Sequence, residues 1–240
     1  MASPLGNVSA AILAGGLGTR LRAVVADRPK VLAPVAGKPY LAHLLVQLNR
    51  AGIRETTLLV GYAANQVREA FGLEFDGMKL NYSVEPEPLG TGGALRLALQ
   101  FLREETVLLL NGDSYCDVDL SALATAHRTH SGIATLTLAE VADGSRFGRV
   151  QSNADCCIER FEEKGGSAGP GWINAGVYLF DREWVSRIEP GRAVSLEREV
   201  LPAWVATGGV FGFTCSRRFI DIGTPDSYAE AEAFFGTATV

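Results

Sequence analysis

The chain has 240 residues, a formal net charge of −5, 47% apolar residues and 20% charged residues. That balance excludes an intrinsically disordered chain, and the weak negative charge argues against a nucleic-acid partner, which needs a basic face. The N-terminal segment lacks a basic stretch followed by a long apolar run, and Cys116, Cys156, Cys157 and Cys215 contain no CxxC pair; a cytoplasmic protein with no membrane partner, no signal peptide and no disulfide or zinc framework is expected.

In chain order, residues 9–14 (SAAILA) read as a buried strand entering a glycine loop. A helix follows at 40–50, a strand at 56–60, a short helix at 65–71, a strand at 79–84 and a helix at 91–102. The most apolar strand lies at 106–110, then a helix at 120–130 and a strand at 133–138. Apolar strands alternating with helices imply an α/β fold: a Rossmann-like, mostly parallel sheet with helices on both faces. Ligands of such sheets sit beyond the strand C-termini, so the loops after Ala14, Val84 and Leu110 carry the information. After Arg146 the texture changes to longer strands at 147–150, 157–161 and 172–180 with a Gly-rich turn at 165–171. These predict a smaller mixed β subregion, followed by helices at 196–206 and 227–235. The expected organisation is one domain over 1–240 in two parts, at about 8–140 and about 141–240. His127 and His130, at i and i+3 on a helix, are expected to be solvated, and Trp172, Trp184 and Trp204 to be packing residues.

Gly15, Gly16 and Gly18 directly follow the first strand. Glycine permits φ > 0 and close ligand approach, and successive N–H groups around such a turn form an anion nest. Arg20 and Lys30 add mobile positive charge. The dinucleotide fingerprint fails because Leu21 stands at its sixth position, and the P-loop fails because Gly37-Lys38 is followed by Pro39. A phosphate-binding loop of another kind remains. Asp113 ends the buried strand TVLLLNGD, where a carboxylate faces the crevice and suits a hard cation.

The ordered segments GGLGTRL (15–21), RPK (28–30), PVAGKP (34–39), EPEPLGTGG (85–93), NGD (111–113), EEKG (162–165), NAGVYLF (174–180) and DIGTPDSY (221–228) resemble the motifs of the sugar-1-phosphate nucleotidyltransferase (nucleoside-diphosphate-sugar pyrophosphorylase) family. Two departures, Ala23-Val24-Val25 in place of Pro-Leu-Thr and Glu163-Lys164-Gly165 in place of Glu-Lys-Pro, look similar to the D-glycero-D-manno-heptose 1-phosphate guanylyltransferase branch.

The resemblance implies the nucleotide-diphospho-sugar transferase fold and an activity. A sugar-1-phosphate oxygen attacks the α-phosphorus of a nucleoside triphosphate and pyrophosphate leaves. GTP and D-glycero-α-D-manno-heptose 1-phosphate are the first expectation. The alternatives are mannose 1-phosphate with GTP, N-acetylmuramate 1-phosphate with UTP, and an inactive nucleotide-sensing paralogue. The nucleophile is already anionic, so no general base is required. Repulsion is the obstacle, at about 4 kcal/mol per pair of unit charges 4 Å apart at an effective dielectric of 20. Positioning and charge neutralisation must therefore do the catalysis.

The implied roles are catalysis by Arg20, Lys30 and Asp113, and nucleotide binding by Leu13, Ala14, Gly15, Gly16, Gly18, Thr19, Arg20, Glu85, Gly90 and Thr91. Asn111, Glu162, Lys164 and Asn174 are implied for the sugar phosphate, and Asp113 with Asp221 for Mg2+. Gly90 and Thr91 are small enough to admit a base or ribose before a helix N-terminus. Glu85 could accept from the N1–H and N2–H of guanine, or stand as a solvated acid at a strand end. A homodimer is an admissible assembly.

Overall fold

In the computed structural model of the chain, residues 4–16, 18, 20–21, 24–144, 147–161, 169–215 and 218–236 are described. The strands are β1 (Val8–Leu13), β2 (Pro34–Val35), β3 (Lys38–Pro39), β4 (Glu55–Val60), β5 (Glu74–Phe75), β6 (Met78–Val84) and β7 (Thr106–Asn111). They continue with β8 (Ser114–Cys116), β9 (Ala134–Val141), β10 (Val150–Ser152), β11 (Ile158–Phe161), β12 (Gly171–Asp181), β13 (Val210–Cys215) and β14 (Phe219–Asp221). The helices are α1 (Tyr40–Arg50), α2 (Ala64–Phe71), α3 (Gly90–Ala98), α4 (Leu120–His130), α5 (Arg182–Ser186), α6 (Leu201–Val205) and α7 (Pro225–Gly236). A π-helical turn, Leu196–Val200, leads into α6.

Eight strands form one sheet in the order β13-β9-β12-β7-β1-β4-β6-β5. The β7-β1-β4-β6 block is parallel. The central strands β1 and β7 carry apolar residues at successive positions because both faces are covered, whereas β6, nearer the edge, alternates. Ala10 and Ile12 join the core on one side while Ala11 joins the other, and Leu108 and Leu110 oppose Val107 and Leu109 in the same way. Side chains of α1, α2, α4 and α7 cover the first face, and those of α3, α5, the π-helical turn and α6 cover the second.

The second half differs from expectation in one respect. Strand β12 does not belong to the smaller β subregion. It enters the main sheet antiparallel between β7 and β9. The residues of its C-terminal half, Val177 to Phe180, are all buried, which suits a central strand covered on both faces. The small sheets are the antiparallel pairs β10-β11, β14-β8 and β2-β3. His127 is likewise not solvated: it is 6% exposed and its Nδ1 lies 2.9 Å from Thr135 Oγ1. His130 stacks on Phe211 with ring centroids 4.4 Å apart. Both rings, carried on α4, face the β9-β13 edge of the sheet, which helical spacing alone does not reveal. The four cysteines are free, and among the described residues no helix is long and apolar enough to cross a membrane.

Candidate active site

The C-terminal ends of β1, β4, β6 and β7 open onto a cavity of about 700 Å³. Its wall includes Leu13, Gly15, Gly16 and Gly18 from the first loop, Glu85 after β6, Gly90 and Thr91 on α3, and Asn111 and Asp113 after β7. Arg20 and Lys30 line it too. Ala14 stands behind the wall, 2% exposed, with its N–H donating to Leu59 O at 2.7 Å. Thr19, Glu162 and Lys164, and the sequence departures at Ala23, Glu163 and Gly165, lie outside the described residues.

Glu85 lines the cavity beside the glycine loop. Its Oε2 accepts from Leu89 N at 2.7 Å. Its Oε1 presses on the glycine loop, 2.7 Å from where a Cβ on Gly15 would stand. Half-burial raises the pKa of this carboxyl, the Leu89 N–H opposing the shift. The carboxylate is thus held in place with one oxygen turned toward the loop, unlike a solvated strand-end acid.

The small residues of α3 have a cause beyond ligand access. The segment before the π-helical turn returns across them: Val194 N donates to Leu89 O at 2.8 Å, and Val194 O accepts from Gly92 N at 2.8 Å. Leu196 N donates to Thr91 Oγ1 at 2.8 Å. A Cβ on Gly90 would meet Val194 O at 2.6 Å, and φ at Gly90 is +67°. Only glycine satisfies both demands.

A second, smaller cavity of about 130 Å³ adjoins the first. Asn174, Asp221, Ser114, Phe147 and Arg198 line it. Arg20, Asn111, Asp113 and Glu197 line both cavities. These four residues therefore mark the junction where ligands of the two cavities would meet. Asn174 is aimed by an irregularity in β12: the register with β9 shifts between Asn174 and Tyr178, Asn174 Oδ1 accepts from Gly176 N at 3.1 Å, and Gly176 has φ +77°. Such a bulge turns a side chain away from the regular alternation.

Asp113 and Asp221 stand on neighbouring backbones. Ile222 N donates to Asp113 O at 2.8 Å, and Asp221 pairs in register with Ser114. Asp221 Oδ2 accepts from Gly223 N at 2.8 Å, and Lys30 Nζ donates to Asp113 Oδ2 at 2.8 Å. Among the described residues no group of three or more His, Cys, Asp or Glu side chains could hold a metal. Asp113 at the junction and Asp221 in the wall of the smaller cavity still fit Mg2+, which takes one or two carboxylates and completes its shell with substrate phosphates and water.

Sequence reasoning missed Glu197, Arg198 and the loop after β4, where Gly61 and Tyr62 complete the larger cavity. Glu197 and Arg198 sit in LEREV, which reads as the start of an ordinary surface helix, so no local pattern points to them.

The nucleotidyl transferase family model matches residues 9–237. The chain belongs to the nucleotidyl transferase family. Within that family it is 37% identical to the D-glycero-alpha-D-manno-heptose 1-phosphate guanylyltransferase of Aneurinibacillus thermoaerophilus, over 94% of this chain and 97% of the relative. It is also 37% identical to the mannose-1-phosphate guanylyltransferase of Mycobacterium tuberculosis, over 95% of this chain but 64% of the relative, so it spans under two thirds of that protein's length. Among solved structures, HddC from Yersinia pseudotuberculosis complexed with GMP-PN superposes with a TM-score of 0.85 at 32% identity, covering 95% of this chain and 99% of that one.

Proposed function

We propose that this nucleotidyltransferase moves a guanylyl group from GTP to a sugar 1-phosphate, giving a GDP-sugar and pyrophosphate, with D-glycero-α-D-manno-heptose 1-phosphate as the acceptor. The observation that carries the reading is the shared wall of the two cavities, Arg20, Asn111, Asp113 and Glu197. In this reading residues 8–140 hold the triphosphate in the larger cavity, and residues 141–240 hold the sugar phosphate in the smaller. The guanylyl choice rests on Glu85, whose fixed carboxylate suits the paired N–H donors of guanine, and on the relatives' names.

The acceptor's phosphate oxygen forms a bond to the α-phosphorus as the bond from that phosphorus to the pyrophosphate oxygen breaks. Arg20, at the junction, neutralises charge on the α-phosphate and the departing pyrophosphate. Lys30 lies beside the glycine loop and can exchange Asp113 for a phosphate oxygen. The loop N–H groups hold the pyrophosphate portion, and Lys164 and Glu162 are assigned to the sugar phosphate by family position. Asp113 and Asp221 would hold Mg2+, which supplies further charge neutralisation on the phosphates when bound.

The test is pyrophosphate release with four nucleoside triphosphates against heptose, mannose and N-acetylmuramate 1-phosphates. GTP with the heptose phosphate should give the highest kcat/KM. A maximum with UTP removes the guanylyl assignment, and a maximum with mannose 1-phosphate favours the second reading, which the equal identity to the mycobacterial relative supports.

A further inference from the structure

Behind the junction lies a polar group that no wall of either cavity contains. Tyr178, on β12, is fully buried, paired in register with Leu109 of β7 and Leu136 of β9. A phenol at the centre of an apolar sheet is costly unless its hydroxyl is satisfied. It is satisfied three times over. The hydroxyl oxygen accepts from Asn174 Nδ2 at 2.7 Å and from Asn111 Nδ2 at 3.4 Å. Its own O–H donates to Glu197 Oε1 at 3.4 Å. One donor and two lone pairs are the full capacity of a hydroxyl.

Those three partners come from β7, β12 and the π-helical turn, and all three reach the cavities. Asn174 lines the smaller one, and Asn111 and Glu197 line both. Committing each amide nitrogen to the phenol fixes the direction of each amide. Asn174 Oδ1 then meets Gly176 N. A Cβ on Gly176 would stand 2.8 Å from Asn111 Nδ2, so the bulge leaves room for that amide and for nothing larger.

We propose that Tyr178 is a positioning residue for the acceptor: its buried hydroxyl sets the orientation of Asn111, Asn174 and Glu197 around the sugar 1-phosphate. This rests on the two-cavity reading above. It adds a residue that touches no substrate and acts only through these three partners. The triphosphate cavity depends on it less, because among the described residues the partners of the phenol are Asn111, Asn174 and Glu197, and not Gly15, Gly16, Gly18, Lys30 or Glu85.

The test is Tyr178→Phe, which keeps the ring stacked on Phe180 at 5.4 Å and removes only the oxygen. With the acceptor that gives the highest kcat/KM, KM for the sugar phosphate should rise about tenfold while KM for the triphosphate moves less than about twofold. The side-chain amide NMR signals of Asn111 and Asn174 should shift in the ligand-free protein. An unchanged sugar-phosphate KM, an equal rise in both KM values, or unmoved amide signals would overturn the proposal. Glu197→Gln provides a second arm should the first variant fold poorly: it weakens the acceptor of the phenol and should raise the same KM, and no rise overturns the proposal. Failure of the wild-type chain with every sugar phosphate would count against the function, and the amide signals would then decide the network by themselves.

Discussion

Lys30 Nζ donates to Asp113 Oδ2 across 2.8 Å, with the lysine side chain 10% exposed and the aspartate side chain 45% exposed. The cation and the acid, expected to serve two different ligands, hold one another. A nearly buried ammonium needs a counter-charge, and Asp113 supplies it.

Replacing Asp113 by Asn should therefore abolish most turnover while leaving the chain folded, since the amide oxygen still accepts from Lys30. A loss of at least about 100-fold in kcat is expected, together with loss of the response to added Mg2+. Steady-state rates across a Mg2+ titration, paired with a thermal melt, check it; near-normal activity would remove Asp113 from the metal site.

Glu85 makes a pH prediction. Only the carboxylate accepts from a guanine edge, and burial raises the pKa of this group. Affinity for GTP should fall as pH drops through that raised value, at a higher pH than a solvated glutamate would give. Glu85→Gln should lose this acid limb and narrow the preference for GTP over ATP by about 1–3 kcal/mol. KM for both nucleotides as a function of pH is the measurement.

Gly90→Ala combines a Cβ 2.6 Å from Val194 O with φ +67°. The expected cost is about 2–3 kcal/mol, read as a fall in melting temperature of roughly 4–12 °C. Gly208→Ala is the control: φ there is +77° with nothing within 4 Å of the added carbon. An equal loss in both variants would show that backbone strain, and not the returning segment, dictates glycine at 90.

His127 makes a stability prediction in acid. Burial lowers its pKa from 6.5 to about 4, against the opposing field of Asp181. The folded chain keeps the ring neutral while the unfolded chain protonates it. Stability should be whole above pH 6.5 and be lost progressively as pH falls toward 4, by on the order of 3 kcal/mol. Chemical denaturation of the wild type and His127→Gln across that range should show a flatter curve for the variant.

Much of this geometry was legible because it follows from the parallel block. A parallel block points to the loops after β1, β6 and β7, and all three border one cavity. Runs such as TVLLLNGD announce both a doubly covered strand and the polar end that faces ligand. What stayed hidden depends on long-range placement. The pattern of residues 172–180 gives a strand but not its neighbours, so its insertion between β7 and β9 was unreadable. Glu197 carries no address in a helical pattern, and Tyr178 reads as one more large residue in an apolar strand. Gly90 and Thr91 read as room for a ligand because the segment that packs against them, at Val194 and Leu196, lies about a hundred residues away in sequence.

The antiparallel course of β12 has a mechanical consequence. Its ladder to β7 joins Val177 to Leu110 and Asp181 to Thr106, so the strand that ends in Asn111 and the strand that bears Asn174 are parts of one continuous hydrogen-bonded ribbon. Sliding one half of the molecule past the other would break that ribbon. The spacing between the two cavities is thus set like the jaws of a fixed gauge, because the ladder between β7 and β12 offers no break for a hinge to turn on.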